Sequence, residues 1–264
     1  MRSFAYRAPK DLKEAVAAFA RAEAPAYLAG GMTLIPTLKQ RLASPTDVID
    51  LSRIEGLKEI ASAGTRLKIG ALATHAEVAV SPIVRKAIPA LAELAGLIGD
   101  PQVRNMGTLG GSLANSDPAA DYPAAVLALD AIIETDRRKI AADDYFRGLF
   151  ETALEAGEII TAVSFAIPKR GAYAKFPNPV SGYALVGVLV AEGAGGIRLA
   201  VTGAGPCAFR QPEMEAALTK NFSAKALKAV KVSPEGLNSD LHAAADYRAH
   251  LIGVLAGGAV AEIA

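Results

Sequence analysis

The sequence predicts an α+β chain in two parts that divide near residue 170. Three observations predict it. A strand, a Gly-Gly turn, a helix and a second strand follow one another near the N-terminus. Period-two strands and helices are then mixed from residue 66 to residue 167. Beyond residue 171 a hairpin is followed only by helices.

Residues 11–21 are predicted to be helical because Leu12, Ala15, Val16 and Phe19 share one stripe. Residues 26–29 form a short strand that stops at Gly30 and Gly31. A helical stripe of Leu34, Ile35, Leu38 and Leu42 starts at once, and residues 48–51 return as a strand. Residues 66–69 alternate as a half-buried strand does. Thr74 with Glu77 reads as a capping box that opens a short helix. Pro82 and Pro89 punctuate a helical region that runs to Ile98. Residues 99–117 are expected to be irregular, being rich in Gly, Asn, Ser and Asp, and a polar stretch of that length is more often functional than a plain connector. Alternation resumes at 131–135 and 159–167. Residues 183–191 and 197–202 flank a glycine-rich turn as a hairpin, and helical stripes follow at 224–230 and 241–255.

Bulk properties exclude several functions. With 264 residues, 52% of them apolar, the chain can bury one large or two modest cores. Its 28 basic and 27 acidic residues leave a formal charge of +1, without the basic excess of a nucleic-acid binder. A lone Cys207 cannot hold an iron–sulfur cluster, which takes about four thiolates. His75, His242 and His250 lack metal-ligand spacing, although the last two fall on one predicted helix. The N-terminus has no apolar signal segment, and no run approaches the ~20 apolar residues of a membrane span. A cytoplasmic protein is expected.

Two motifs carry chemistry. The first spans residues 29–36. Gly30 and Gly31 allow a tight turn, and the helix after them directs free N–H groups back at the loop, which makes an anion site. Thr33 adds a hydroxyl. Taken alone, this is more often an ordinary strand-to-helix turn. The second motif spans residues 102–115 and brings Gly110 and Gly111 with small hydroxyl and amide side chains. Two such loops can clasp the two phosphates of a dinucleotide and leave the Asp121 carboxylate for a ribose or adenine donor.

In this order the two loops resemble the flavin signatures of the FAD-binding domain of the molybdenum hydroxylases. The group includes the medium subunits of aerobic carbon monoxide dehydrogenases, and xanthine dehydrogenase carries a related domain. The resemblance continues through 116–121, 175–179, 183–188, 203–206 and 239–243, so it covers nearly the whole chain.

It implies an FAD-binding domain over residues 1–170, with α/β subdomains of about 1–55 and 56–170. A smaller domain, 171–264, would hold a three-stranded antiparallel sheet with helices. The resemblance also implies that Ala29, Gly30, Gly31, Met32, Thr33 and Leu34 hold the FAD pyrophosphate through backbone N–H groups. Thr108, Gly110, Gly111 and Ser112 would do the same from the second loop. Asp121 matches an acidic contact on the adenosine side. Ile160 matches an apolar residue against the flavin, Lys175 a lysine near the isoalloxazine, and Tyr183 an aromatic close to that ring. Met32 and Gly182 depart from the family pattern, which more often has a small or polar residue at the first position and a larger one at the second.

The implied activity is electron transfer. A large molybdopterin-binding subunit hydroxylates a substrate, a small iron–sulfur subunit passes the electrons on, and FAD on this chain delivers them to an external acceptor. The implied assembly is a dimer of heterotrimers.

Three other readings compete with this one. Residues 203–208 formally fit the G-x-G-x-x-A turn of a nicotinamide-dependent dehydrogenase. However, Pro206 removes a phosphate donor, no helix opens directly, and no acidic strand end follows about 20 residues on. A stand-alone flavin oxidase would need a catalytic base. His75 is instead expected to be a solvated or capping residue at a helix start, and Cys207 a small packed side chain. A flavin-free scaffold subunit would need loops that had lost their ligand, and nothing in these two suggests that.

Overall fold

The computed structural model describes residues 1–264. Its first unit contains β1 (Ala5–Arg7), α1 (Leu12–Arg21), β2 (Pro25–Leu28), α2 (Leu34–Lys39) and β3 (Asp47–Asp50). The three strands form a parallel sheet in the order β1-β3-β2. Asp11 caps α1 by accepting from the Glu14 N–H at 2.8 Å. Ala15, Ile49, Leu51 and Leu57 pack with Ile159, far along the chain, which seats this unit on the next. The helix after the Gly-Gly turn is shorter than its stripe predicts. Arg41 adopts a left-handed φ of 63°, and Leu42 lies outside α2 at 75% exposure.

The second unit contains β4 (Ile60–Ala63), β5 (Arg66–Gly70), α3 (His75–Val80), α4 (Pro82–Ala87), α5 (Pro89–Gly96), α6 (Pro101–Met106), α7 (Leu109–Asn115) and α8 (Tyr122–Ala128). It continues with β6 (Ile132–Thr135), β7 (Lys139–Ala141), β8 (Phe146–Gly148), β9 (Glu151–Thr152) and β10 (Ile160–Ala166). Five strands form an antiparallel sheet in the order β4-β5-β10-β6-β7, and β8 with β9 is a separate hairpin. The Thr74–Glu77 capping box is present, and Pro82 and Pro89 open α4 and α5.

Residues 99–117, expected to be irregular, hold α6 and α7. The Asp100 carboxylate caps α6 at 2.8 Å and the Thr108 hydroxyl caps α7 at 3.1 Å. Six or seven residues are too few to display a stripe. Helix α8 escaped prediction for the opposite reason: all seven of its residues are buried, so no polar face marks its period.

The third unit contains β11 (Arg170–Pro177), β12 (Ala184–Gly193), β13 (Gly196–Thr202), β14 (Phe209–Arg210), α9 (Pro212–Lys220), α10 (Ala224–Leu227) and α11 (Ala245–Ile263). Its antiparallel sheet runs β11-β12-β13-β14, so the expected three strands gain a two-residue fourth at the edge. Helix α11 covers β11 and β12 and buries Leu251, Ile252, Ala256 and Val260 against Val186, Val188 and Val190. It begins at Ala245, so His242 and His250 do not share a helix. Leu189, Ala191 and Ala200 of this sheet enter the main core beside Leu127 and Phe165, which makes the core continuous across residue 170. No helix is long and apolar enough to cross a membrane.

Candidate functional site: a cavity built on two glycine loops

A cavity of about 730 Å³ opens where the three units meet, within the range of about 300–1,000 Å³ usual for cofactor sites. The two glycine loops both line it. The first leaves β2 and enters α2. No backbone N–H from Ala29 through Leu34 donates to an acceptor within the chain; the first committed donor is Ile35, bonded to the Gly31 carbonyl at 3.0 Å. Six consecutive free donors on cavity-lining residues form an anion cradle.

The second loop is committed differently. The Gly110 N–H donates to the Ala71 carbonyl at 2.8 Å, Gly111 to the Thr108 hydroxyl at 3.1 Å, and Ser112 to the Thr108 carbonyl at 3.0 Å. Of the four residues expected to cradle phosphate here, only Thr108 keeps a free backbone donor, and Ser112 adds a hydroxyl.

The glycines serve close approach of backbone to backbone. A Cβ on Gly30 would lie 1.8 Å from the Met106 carbonyl oxygen, and one on Gly110 would lie 2.6 Å from the Ala71 Cβ and 2.8 Å from its carbonyl oxygen. Gly30 therefore lets the first loop rest on the second. Gly110 lets the second rest on the turn after β5.

Thirteen of the fourteen residues singled out in the sequence line this cavity: Ala29, Gly30, Gly31, Met32, Thr33, Leu34, Thr108, Gly110, Gly111, Ser112, Asp121, Ile160 and Tyr183. Lys175 does not. Its ammonium lies 2.9 Å from the Asp121 carboxylate, behind it, and also donates to the Leu97 carbonyl at 3.1 Å. Tyr173 donates to the same carboxylate at 2.6 Å. Burial raises the Asp121 carboxyl pKa, while Lys175 and Tyr173 pull against that rise. Two side chains joined in one ion pair cannot serve opposite ends of a dinucleotide, as the separate adenosine and isoalloxazine contacts implied. Asp121 and Lys175 instead stand together, near Ile98, Asp117 and Tyr183.

A second group of lining residues holds Tyr27, Glu158, Ile159 and Ile160. The Tyr27 hydroxyl donates to the Gly157 carbonyl at 3.2 Å. Arg138, Thr135 and the Glu155 N–H all bond the fully buried Glu158 carboxylate, Arg138 foremost, and hold its pKa near 2. With four bonds already made, Glu158 fixes the wall that carries Ile160.

His75 is the residue that sequence reasoning placed wrongly. Thr74 is the cap, and His75, at 5% exposure, lines the cavity under the second loop. Its backbone N–H donates to the Gly107 carbonyl at 3.0 Å, and its ring Nδ1 has no partner. Burial, assisted by the nearby Arg104 charge, holds the imidazole pKa down to about 4, so the ring is neutral near pH 7. The Thr74–Glu77 capping box sets its position at the start of α3. Nothing local in the sequence marked its burial.

The rival G-x-G-x-x-A turn lies elsewhere. The Gly203 N–H donates to the Pro118 carbonyl at 2.7 Å, its own carbonyl accepts from Arg248 at 2.9 Å, and Ala204 is fully buried. That turn is spent on protein contacts, which leaves no phosphate site for a nicotinamide cofactor. The first loop, with its row of free N–H groups, fits the diphosphate of FAD.

Comparison with known proteins agrees. A family profile described as the FAD binding domain in molybdopterin dehydrogenase matches residues 2–169. The carbon monoxide dehydrogenase medium chain of Hydrogenophaga pseudoflava is 36% identical over 95% of this chain and 93% of its own. The nicotine 6-hydroxylase medium subunit of Paenarthrobacter nicotinovorans is 35% identical over 94% and 92%. A solved structure of reconstituted CO dehydrogenase from Oligotropha carboxidovorans superposes with a TM-score of 0.91 at 33% identity, covering 98% of this chain and 97% of that one. The fold, the free-donor loop and these matches over nearly the full length show that the chain belongs to the FAD-binding medium-subunit family of the molybdenum hydroxylases.

Proposed function

We propose that this chain is the FAD-binding electron-transfer subunit of a multi-subunit molybdenum hydroxylase, with the metal chemistry on partner chains. The observation that carries the reading is the row of unpartnered N–H groups from Ala29 to Leu34 along the cavity. These groups would hold the diphosphate, helped by the Thr108 N–H and the Ser112 hydroxyl. We assign the isoalloxazine to the group with Ile98, Asp121 and Tyr183, because Tyr183 is aromatic and 45% exposed at the rim. Lys175 would act there by holding the Asp121 carboxylate in place at 2.9 Å. The adenosine falls to Tyr27, Ile159 and Ile160, whose wall Glu158 makes rigid, so Ile160 serves the adenosine in this reading and not the flavin that the resemblance implied. The bound FAD supplies the redox capacity: electrons arriving from iron–sulfur clusters of a partner leave through it to an external acceptor. The residues of this chain orient the cofactor and shield it from water.

The chain divides at about residue 170, with subdomains of about 1–55 and 56–170 ahead of 171–264. Strand β10 ends at Ala166 and β11 starts at Arg170, which supports that division. The partners are a large molybdopterin-binding subunit and a small iron–sulfur subunit, arranged as a cytoplasmic dimer of heterotrimers; the relatives' names as medium chains and medium subunits support the partnership.

The test is a visible spectrum and cofactor analysis of the complex purified through this chain. The expected result is a flavin band released on denaturation as FAD and not FMN, with iron and molybdenum in co-purifying chains. A complex without flavin would overturn the reading.

A further inference from the structure

One stretch of resemblance, residues 239–243, has no part in the cavity, yet the structure ties it to the cavity wall. Asp240 accepts from the N–H groups of His242 at 2.9 Å and Ala243 at 3.0 Å, which folds the chain just ahead of α11. Its second carboxylate oxygen accepts from Arg248 Nη2 at 2.7 Å. Arg248, on the first turns of α11, is 3% exposed. Its Nη1 donates to the Leu185 carbonyl at 2.7 Å and the Gly203 carbonyl at 2.9 Å. A buried guanidinium holding two main-chain carbonyls and a carboxylate fixes three chain segments at one point.

The clamped segments are the start of β12 and the turn after β13. Both are bonded to the cavity wall. The Ala184 N–H donates to the Ala119 carbonyl at 3.2 Å, and the Gly203 N–H to the Pro118 carbonyl at 2.7 Å. The Thr202 hydroxyl lies 3.1 Å from the Pro118 carbonyl and 2.6 Å from that of Ala120. Those carbonyls belong to the segment that ends in Asp121, and Tyr183 immediately precedes the clamped strand. The path from Arg248 to Asp121 thus runs through direct hydrogen bonds of 2.6–3.2 Å to main-chain carbonyls.

We infer that Arg248, oriented by Asp240, is a positioning residue for the cofactor: it sets the wall formed by residues 117–121 and Tyr183 without lining the cavity. The inference rests on the FAD reading above. The arrangement couples the packing of α11 to the isoalloxazine end of the site. Replacing the guanidinium frees two carbonyls and lets the wall shift while the Ala29–Leu34 cradle stays whole.

The experiment compares Arg248→Met, Arg248→Lys, Asp240→Asn and a control, Val260→Ala, in the full-length chain. Val260 is fully buried on the same helix and far along it from the clamp. FAD dissociation constants and the visible circular dichroism of bound flavin are measured well below every melting temperature. The expected result is at least tenfold weaker binding with an altered flavin dichroism for Arg248→Met. A smaller loss is expected for Asp240→Asn, and partial recovery for Arg248→Lys, which can still reach one carbonyl. Val260→Ala should lower Tm and leave affinity within twofold. Should Arg248→Met not fold, Asp240→Asn against Val260→Ala decides the matter. Unchanged affinity and dichroism in the clamp variants would overturn the inference, as would an equal loss in the control. A wild-type chain that takes up no FAD would instead strike at the FAD reading itself.

Discussion

The two glycine loops look alike in sequence and do different work in the fold. Residues 29–34 and residues 108–112 each pair two glycines with a hydroxyl residue at the start of a short helix, the first glycine pair ahead of α2 and the second inside the first turn of α7. In the first loop the backbone donors are unspent, and Gly30 lets that loop lie against the Met106 carbonyl. In the second loop the donors of Gly110, Gly111 and Ser112 are already bonded within the protein. The second loop is a buttress, and the first is the cradle it supports. A Gly-Gly motif reports that backbone comes close to something. Only the list of donors says whether that something is a ligand or the protein itself.

The comparison can be broken most severely at its contact point. Gly30→Ala pushes a methyl group to within 1.8 Å of a backbone oxygen, where no side chain can yield. The loops must separate at a cost of about 3 kcal/mol, as for severe overpacking. Expected are a lower Tm and no retained flavin, read from the flavin-to-protein ratio after desalting. Full flavin occupancy would mean the cradle does not depend on that contact.

His75 sharpens the comparison from beneath the second loop. Its folded pKa near 4 lies below the unfolded value of about 6.5, so its contribution is complete above pH 6.5. That contribution is lost as pH falls towards 4, because the unfolded chain takes a proton the folded one refuses. The loss is about 3 kcal/mol on the usual conversion of a pKa shift. Denaturant melts across that range should show the slope in the wild type and a flatter profile in His75→Gln; identical profiles would place the proton elsewhere. Thr108→Ala should do least. It removes a helix cap, which costs about 1 kcal/mol, and leaves the free Thr108 N–H in place. Flavin affinity should fall by less than about tenfold. Complete loss of FAD would reverse the roles given to the two loops.

The sequence displayed whatever was local and periodic. The Leu12–Phe19 stripe, the Thr74–Glu77 box and the Gly193–Gly196 turn were all legible because neighbours in the chain make those contacts. Helix α8 was hidden because burial on every side erases alternation, and α6 and α7 because one or two turns show no stripe. The candidate site was legible as a set of residues, since all but Lys175 line one cavity. Its inner arrangement was not. That Lys175 stands behind Asp121, that His75 is buried, and that Gly110 spends its N–H on Ala71 all depend on partners 39 and 54 positions away or on burial by distant elements.

The central claim concerns individual amide protons, and amide hydrogen exchange reads them directly. The flavin-depleted and FAD-loaded chains would be compared residue by residue. In the depleted chain the amides of residues 29–34 should exchange fast, and those of Gly110, Gly111 and Ser112 should already be protected. Loading FAD should slow residues 29–34 strongly, slow Thr108, and leave residues 110–112 nearly unchanged. New protection at 110–112 with none at 29–34, in a chain that has bound FAD, would contradict the account.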